Sequence, residues 1–237
     1  MKQTIDTIID FLFPKTCVAT KQEGEYLSKD GRKELVPHPE LCPVSHRFSR
    51  DFRTLPWYQK EFSLQGIHIG FYYGSYLKKL ILKLKYYHQK DVIDTLIDRL
   101  ILSIQTNTTL RTALHSWSCC LSYVPSHWWR KFFYKWYNQS ELLAKALAEK
   151  LMIPYIPTSK KSRYTKSQTK LSRKQRLSNL KDSFVLIDHD KRRNYETIVL
   201  VDDIVTTWST LNHIAALIKQ QFPSCTIWWL VVGRHNK

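Results

Sequence analysis

Residues 197–218 read TIVLVDDIVTTWSTLNHIAALI, and no other stretch limits the architecture of this chain as tightly. Five apolar or β-branched residues, Thr197 to Val201, lead into two acids. Hydroxyl residues follow, and then a helical apolar pattern begins. A short continuous apolar run suits a strand of a parallel sheet whose faces are covered by helices. In such a sheet ligands bind beyond the carboxyl ends of the strands, which is where Asp202 and Asp203 fall if TIVLV is a central strand. The turn of Thr206, Thr207, Trp208, Ser209 and Thr210 presents hydroxyls and backbone N–H groups at the start of the next helix, a ready anion site. Two carboxylates that can accept from ribose hydroxyls, or hold magnesium through water, beside a phosphate cradle suit a sugar phosphate. Trp208 alone is out of keeping with such a turn.

The preceding segments carry the same strand and helix rhythm. CCLSYVP, residues 119–125, reads as a buried strand. A basic aromatic loop, SHWWRKFFYKWYNQ, follows, and SELLAKALAEKL places Leu142, Leu143, Ala146, Leu147 and Leu151 on one helical side. FVLI and TIWWLVV add strands, and TLNHIAALIKQQF adds a helix, so the second half is expected to form a parallel sheet flanked by helices. Residues 158–181 hold nine Lys or Arg and no acid. A solvated face and a lid closing over a charged ligand both fit that run, with Leu171, Leu177 and Leu180 as anchors for a lid. Upstream, residues 72–106 form a helical lead-in, with Val92, Ile93, Leu96, Ile97, Leu100, Ile101 and Ile104 on one face. The α/β core is expected over 117–237, within a second domain spanning 67–237.

Residues 1–66 make a separate N-terminal unit. Ile5, Ile8, Ile9, Leu12 and Phe13 fall at helical spacing before Pro14, and Asp6 and Asp10 exclude an export-signal core. Residues 15–66 are rich in Pro and polar residues and predict an irregular module. Within it Cys17, His38, Cys42 and His46 are candidate ligands for zinc, although Thr20 stands where a CxxC pair would put its second thiol. Five cysteines without a framework spacing point to a reducing, cytoplasmic setting. No apolar run approaches the roughly 18 residues of a membrane span. Thirty-seven Lys and Arg against twenty Asp and Glu give a net charge of +17, which favours polyanionic partners.

IVLVDDIVTTWST resembles the phosphoribosyl diphosphate (PRPP) motif of type I phosphoribosyltransferases, a hydrophobic strand, two acids and TTGxT. IIDFLFPKTC, YGSYLKKLILKLKYYHQKD, YVPSH with YKWYNQSELLAKALA, and TKSQTKLSRKQRLSNLKDSF are similar to successive segments of ComF-family proteins, so the resemblance covers nearly the whole chain. It implies a type I phosphoribosyltransferase fold behind a small N-terminal module resembling a degenerate zinc ribbon, in a family linked to DNA uptake during natural transformation. By position it implies that Asp202 and Asp203 meet the ribose hydroxyls and that Thr206 to Thr210 hold the 5′-phosphate. Arg130 and Lys131 would face the pyrophosphate, and Lys135, Trp136, Asn138 and Gln139 match the RGxNQ segment. Thr165, Gln168, Arg176 and Asn179 would belong to a segment lying over the site, with Mg2+ bridging the diphosphate. A second reading takes the fold as a basic scaffold for single-stranded nucleic acid or the DNA-uptake machinery, with Tyr134 and Tyr137 beside Lys135 stacking on bases.

The departures from the family pattern are specific. Thr20 and Ser45 stand where paired zinc knuckles would have cysteines, Lys135 and Trp136 replace Arg-Gly, and Trp208 replaces the glycine of TTGxT. A glycine there permits positive φ and close approach of backbone to phosphate, whereas an indole fills that space. Two tryptophans thus occupy glycine positions of separate motifs, in a chain with 8 Trp and 6 Gly among 237 residues. That glycine content is about a third of the usual ~7%. The expectation is that the source genome reads UGA as glycine at positions 136 and 208. Reading the two codons in the genomic DNA checks it: UGA at both is the expected result, and UGG at both makes Trp208 genuine.

Overall fold

The continuous apolar runs become the two inner strands of a four-stranded parallel sheet. The computed structural model describes residues 14–60, 62–87, 90–125, 138–162, 183–187, 195–205 and 208–234. Strands β1 (Gly66–Tyr72), β2 (Cys119–Tyr123), β5 (Thr197–Val205) and β6 (Thr226–Arg234) form the sheet in the order β1-β6-β5-β2, every pairing parallel. Neighbours in this sheet are far apart in sequence, so each connection crosses over the sheet and covers one of its faces.

Both faces of β5 and β6 are dry. On one side Val199, Val201, Trp228, Leu230 and Val232 pack with Leu80, Leu84, Leu96, Leu100, Leu143 and Leu147. Those leucines come from helices α1 (Ser75–Tyr87), α2 (Lys90–Ile104) and α4 (Gln139–Leu151). On the other side Ile198, Leu200, Ile227, Trp229 and Val231 meet Leu211, Ile214, Ala215 and Ile218 of α5 (Trp208–Gln221). The period-2 alternation of a strand thus sorts one apolar run into two cores.

Strand β1 has no counterpart among the expected strands, because Gly66 and Gly70 interrupt its apolar pattern. Gly66 is there for space: a Cβ on it would stand 2.6 Å from the Phe52 carbonyl oxygen and 2.6 Å from the Trp228 ring. FVLI was expected to join the strand and helix alternation. It forms instead a separate antiparallel ribbon, β3 (Ser159–Lys161) with β4 (Phe184–Leu186). Phe184 is buried, Val185 exposed and Leu186 half-buried, so the strand does not occupy a doubly covered position.

Residues 14–65 are irregular as expected, with 3-10 turns at Gly31–Glu34, Arg50–Phe52 and Pro56–Tyr58. They dock through Asp51, whose carboxylate accepts from Thr108 N, Thr109 N and Thr109 Oγ1 at 3.0, 3.2 and 2.6 Å, at the start of α3 (Thr108–Leu114). Burial alone would raise this carboxyl's pKa, but these donors outweigh it and hold the group below its ordinary value. Asn107 caps the same helix, accepting from Leu110 N and donating to the Asp51 carbonyl. The expected N-terminal helix of residues 1–13 lies outside the described residues.

Candidate functional site

Strand β5 is longer than TIVLV and runs through Val205, so Asp202 and Asp203 sit within its last residues and not beyond its end. Asp202 is in register with Val231 of β6, and Val205 with Arg234. Pairing with β2 ends at Val201 while pairing with β6 continues through Val205, so the acids keep a fixed backbone along the β6 side, a strand end being a more rigid platform than a loop.

The Asp202 carboxylate is held from outside its own strand. Ser140 Oγ donates to Asp202 Oδ1 at 2.7 Å, and the same oxygen accepts from Asp203 N at 2.9 Å. Asp203 Oδ1 in turn accepts from Ile204 N at 2.7 Å. Ser140 is itself fixed by Asn138, the N-cap of α4, whose side chain accepts from Ser140 N at 3.1 Å and donates to the Val124 carbonyl at 3.0 Å. One short segment, Asn138 to Ser140, therefore ties the end of β2 to the acids at the end of β5 and starts a helix there. All three residues are buried, and Gln139 Nε2 finds no hydrogen-bond acceptor among the described residues.

Burial drives the Asp202 carboxyl well above the ordinary carboxylate range, and the neighbouring Asp203 adds to the rise. The bond from Ser140 opposes it without cancelling it. A carboxyl raised by desolvation and a like charge at a strand end favours partners that supply hydroxyl groups or positive charge.

Of the sequence-predicted residues, Asp202, Asp203, Asn138 and Gln139 lie at these strand and helix ends. Trp208, Ser209 and Thr210, expected in the turn, form the first residues of α5, which begins two residues earlier than the periodicity indicates. A tryptophan enters a helical backbone freely and cannot readily take the positive φ open to glycine. Thr206, Thr207, Arg130, Lys131, Lys135 and Trp136, together with Thr165, Gln168, Arg176 and Asn179 of the lid segment, lie outside the described residues. Ser140 was not anticipated; its signal was a hydroxyl residue two places after an N-cap asparagine, a pattern with many other uses.

The candidate zinc ligands do not converge. Among the described residues no three His, Cys, Asp or Glu side chains form a group that could hold a metal ion. His38 lies against Tyr72 with the rings tilted and their centres 4.9 Å apart, and its Nδ1 is 2.9 Å from the Pro39 carbonyl. Cys17 and Cys42 are separately buried. Burial would raise the Cys17 thiol, but donors from Ser28 and Thr20 outweigh it and bring the pKa to about 6.

No protein-family model matches the chain. Among curated proteins it is similar to competence protein F of Haemophilus influenzae, 38% identical over 98 residues, 41% of this chain and 42% of that protein. It is also similar to DNA utilization protein YhgH of Escherichia coli K12 and of Shigella flexneri, each 33% identical over 147 residues, 62% of this chain and 62% of those proteins. The chain thus matches less than two thirds of the length of these relatives.

The raised pKa of Asp202 has a consequence for stability. Its folded-state value lies above its unfolded value, so ionisation costs the folded state stability once the pH rises above about 4. Asp202→Asn keeps an oxygen for Ser140 and removes the charge. Melting curves should show the variant more stable than the unmodified chain at pH 7, with the gain shrinking towards pH 4. Equal stability at pH 7 would contradict the assignment.

Proposed function

The chain belongs to the ComF family, and from that premise we propose that it is a PRPP-binding protein of phosphoribosyltransferase type that serves DNA uptake. The observation that carries the proposal is the delivery of Asp202 and Asp203 by the inner strand β5 immediately ahead of α5. Carboxyl groups there suit ribose hydroxyls, and the backbone N–H groups of the following turn and helix start suit the 5′-phosphate. The names of the relatives, competence protein F and DNA utilization protein, support the biological setting.

The chemistry of such a site is displacement of pyrophosphate from the ribose anomeric carbon through an oxocarbenium-like state. Its demands are orientation and charge neutralisation more than a strong nucleophile in the protein. Asp203 and Asp202 are oxygen donors of the kind magnesium takes, directly or through water, and the ion would neutralise charge on the diphosphate. Ser140 keeps Asp202 from rotating away from the ribose, and Asn138 fixes Ser140. Arg130 and Lys131 would face the pyrophosphate. An indole at position 208 is bulk that the glycine of the resembled motif does not bring to a phosphate-binding turn.

The basic scaffold is the second reading, and helix α1 favours it. Lys79 Nζ lies 5.4 Å from the centre of the Tyr76 ring and Lys83 Nζ 5.1 Å from that of Tyr26, on a helix that also carries Lys78. Cations beside aromatic rings suit phosphates and bases together.

Pyrophosphate release from PRPP with magnesium, measured in the Trp208→Gly chain, separates the two. The enzyme reading expects release that falls about 100-fold or more in Asp202→Ala and Asp203→Ala. A salt-dependent single-stranded DNA shift that survives both substitutions, with no pyrophosphate release in any variant, would replace it by the scaffold reading.

A further inference from the structure

Cys17, Thr20, Ser28 and Gly31 meet at one point in the N-terminal module, although only one of them is a thiol. Cys17 Sγ accepts from Thr20 N, Ser28 N and Ser28 Oγ, each at 3.4 Å. Thr20 Oγ1 lies 3.1 Å from Ser28 Oγ, and Ser28 Oγ accepts from Gly31 N at 3.2 Å. Gly31 is buried, and a Cβ on it would stand 2.7 Å from Cys17 Sγ and 3.3 Å from Ser28 Oγ. All four positions therefore face the same small volume.

The backbone repeats around that volume. Lys21 N donates to the Cys17 carbonyl at 3.1 Å, and Arg32 N donates to the Ser28 carbonyl at 2.9 Å. Residues 17–21 and 28–32 are thus two tight turns of the same i to i+4 form. Each presents its first and fourth residues inward, the geometry with which two CxxC turns hold a metal. A third turn, Cys42 to His46, closes with the same bond at 3.1 Å, and His46, like Lys21, has positive φ, at 58° and 66°. Ser45 stands at its fourth place.

We infer that residues 17–31 are the frame of a metal knuckle that hydrogen bonds hold closed in place of a metal, and that thiols at positions 20, 28 and 31 would make it bind one. Neutral hydroxyls are poor ligands for zinc, and glycine offers none, so a single thiol remains where four donors are needed. The hydrogen bonds among Thr20, Ser28 and Gly31 span the space that an ion would fill, and the two turns keep their form. The module of this chain therefore folds without the metal on which folding of a closed tetrathiolate knuckle depends. A Cβ at position 31 would meet Cys17 Sγ at 2.7 Å and Ser28 Oγ at 3.3 Å, so the sulfur must shift, and Ser28→Cys, which removes the hydroxyl bonded to it, frees it to turn towards an ion.

The test uses the full chain and the triple substitution Thr20→Cys, Ser28→Cys and Gly31→Cys. The unmodified chain should carry no stoichiometric zinc by mass spectrometry of the metal, and a chelator should leave its melting temperature unchanged. The triple variant should take up one cobalt(II) per chain with a sulfur-to-cobalt charge-transfer band, and a chelator should then lower its melting temperature. If the triple variant fails to fold, Thr20→Cys with Ser28→Cys supplies three thiols, and cobalt(II) should still give the charge-transfer band. One firmly held zinc in the unmodified chain, with a loss of stability on chelation, would overturn the inference. So would folded variants with three or four thiols that bind no cobalt.

Discussion

Strands β5 and β6 lie side by side and parallel, with both faces buried, and the remaining architecture follows from that pairing. An inner strand pair of this kind leaves no face for water, so helices must cover both sides, and parallel connection forces long crossovers. One crossover brings α4 back with its N-terminus at the end of β2, and β5, which follows the β3–β4 ribbon, ends beside it. The carboxyl end of β5 is thereby the place where a strand, a helix start and the following helix α5 meet. Polar residues of β5 are concentrated there because the rest of the strand is enclosed.

Asp202 shows what that location demands. A carboxyl group buried beside a second carboxyl is an unfavourable arrangement for a protein that needs only to fold. The chain nevertheless assigns Ser140 and Asn138 to holding it, and both of these residues are buried. Such an arrangement fits a group kept for binding, at a cost in stability that the two apolar cores on either side of the sheet offset.

Much of this was legible in the sequence because the signals were local. The apolar runs at 119–123, 197–201 and 226–232 became strands, and the helix after Asn138 follows from its spacing and its cap. Strand β1 was hidden because Gly66 answers to the Trp228 ring and the Phe52 carbonyl, and Gly70 to Leu100 and the Val232 carbonyl, contacts that no local pattern encodes. The extension of β5 through the acids was hidden because charged residues normally end a buried strand, and here Ser140 supplies a partner from 62 positions away. The early start of α5 at Trp208 was hidden because the apolar period of that helix begins only at Leu211. Spacing drew attention to the Cys and His residues present, whereas the turns that converge carry Thr20, Ser28 and Gly31 beside Cys17.

Two places where the chain departs from the resembled pattern carry changed chemical groups. In the knuckle, hydrogen bonds occupy the place of an ion. At the start of α5, an indole stands where the phosphate-binding turn of the resembled motif has a glycine. The central claim is that β5 and α5 form a PRPP site whose acids hold the ribose, and titration calorimetry of PRPP with magnesium tests it most directly. The account predicts saturable binding to the Trp208→Gly chain, weak or no binding with tryptophan at 208, and loss of binding when Asp203→Ala is added to Trp208→Gly. Absence of binding in the Trp208→Gly chain, or binding that Asp203→Ala leaves unchanged, would contradict it.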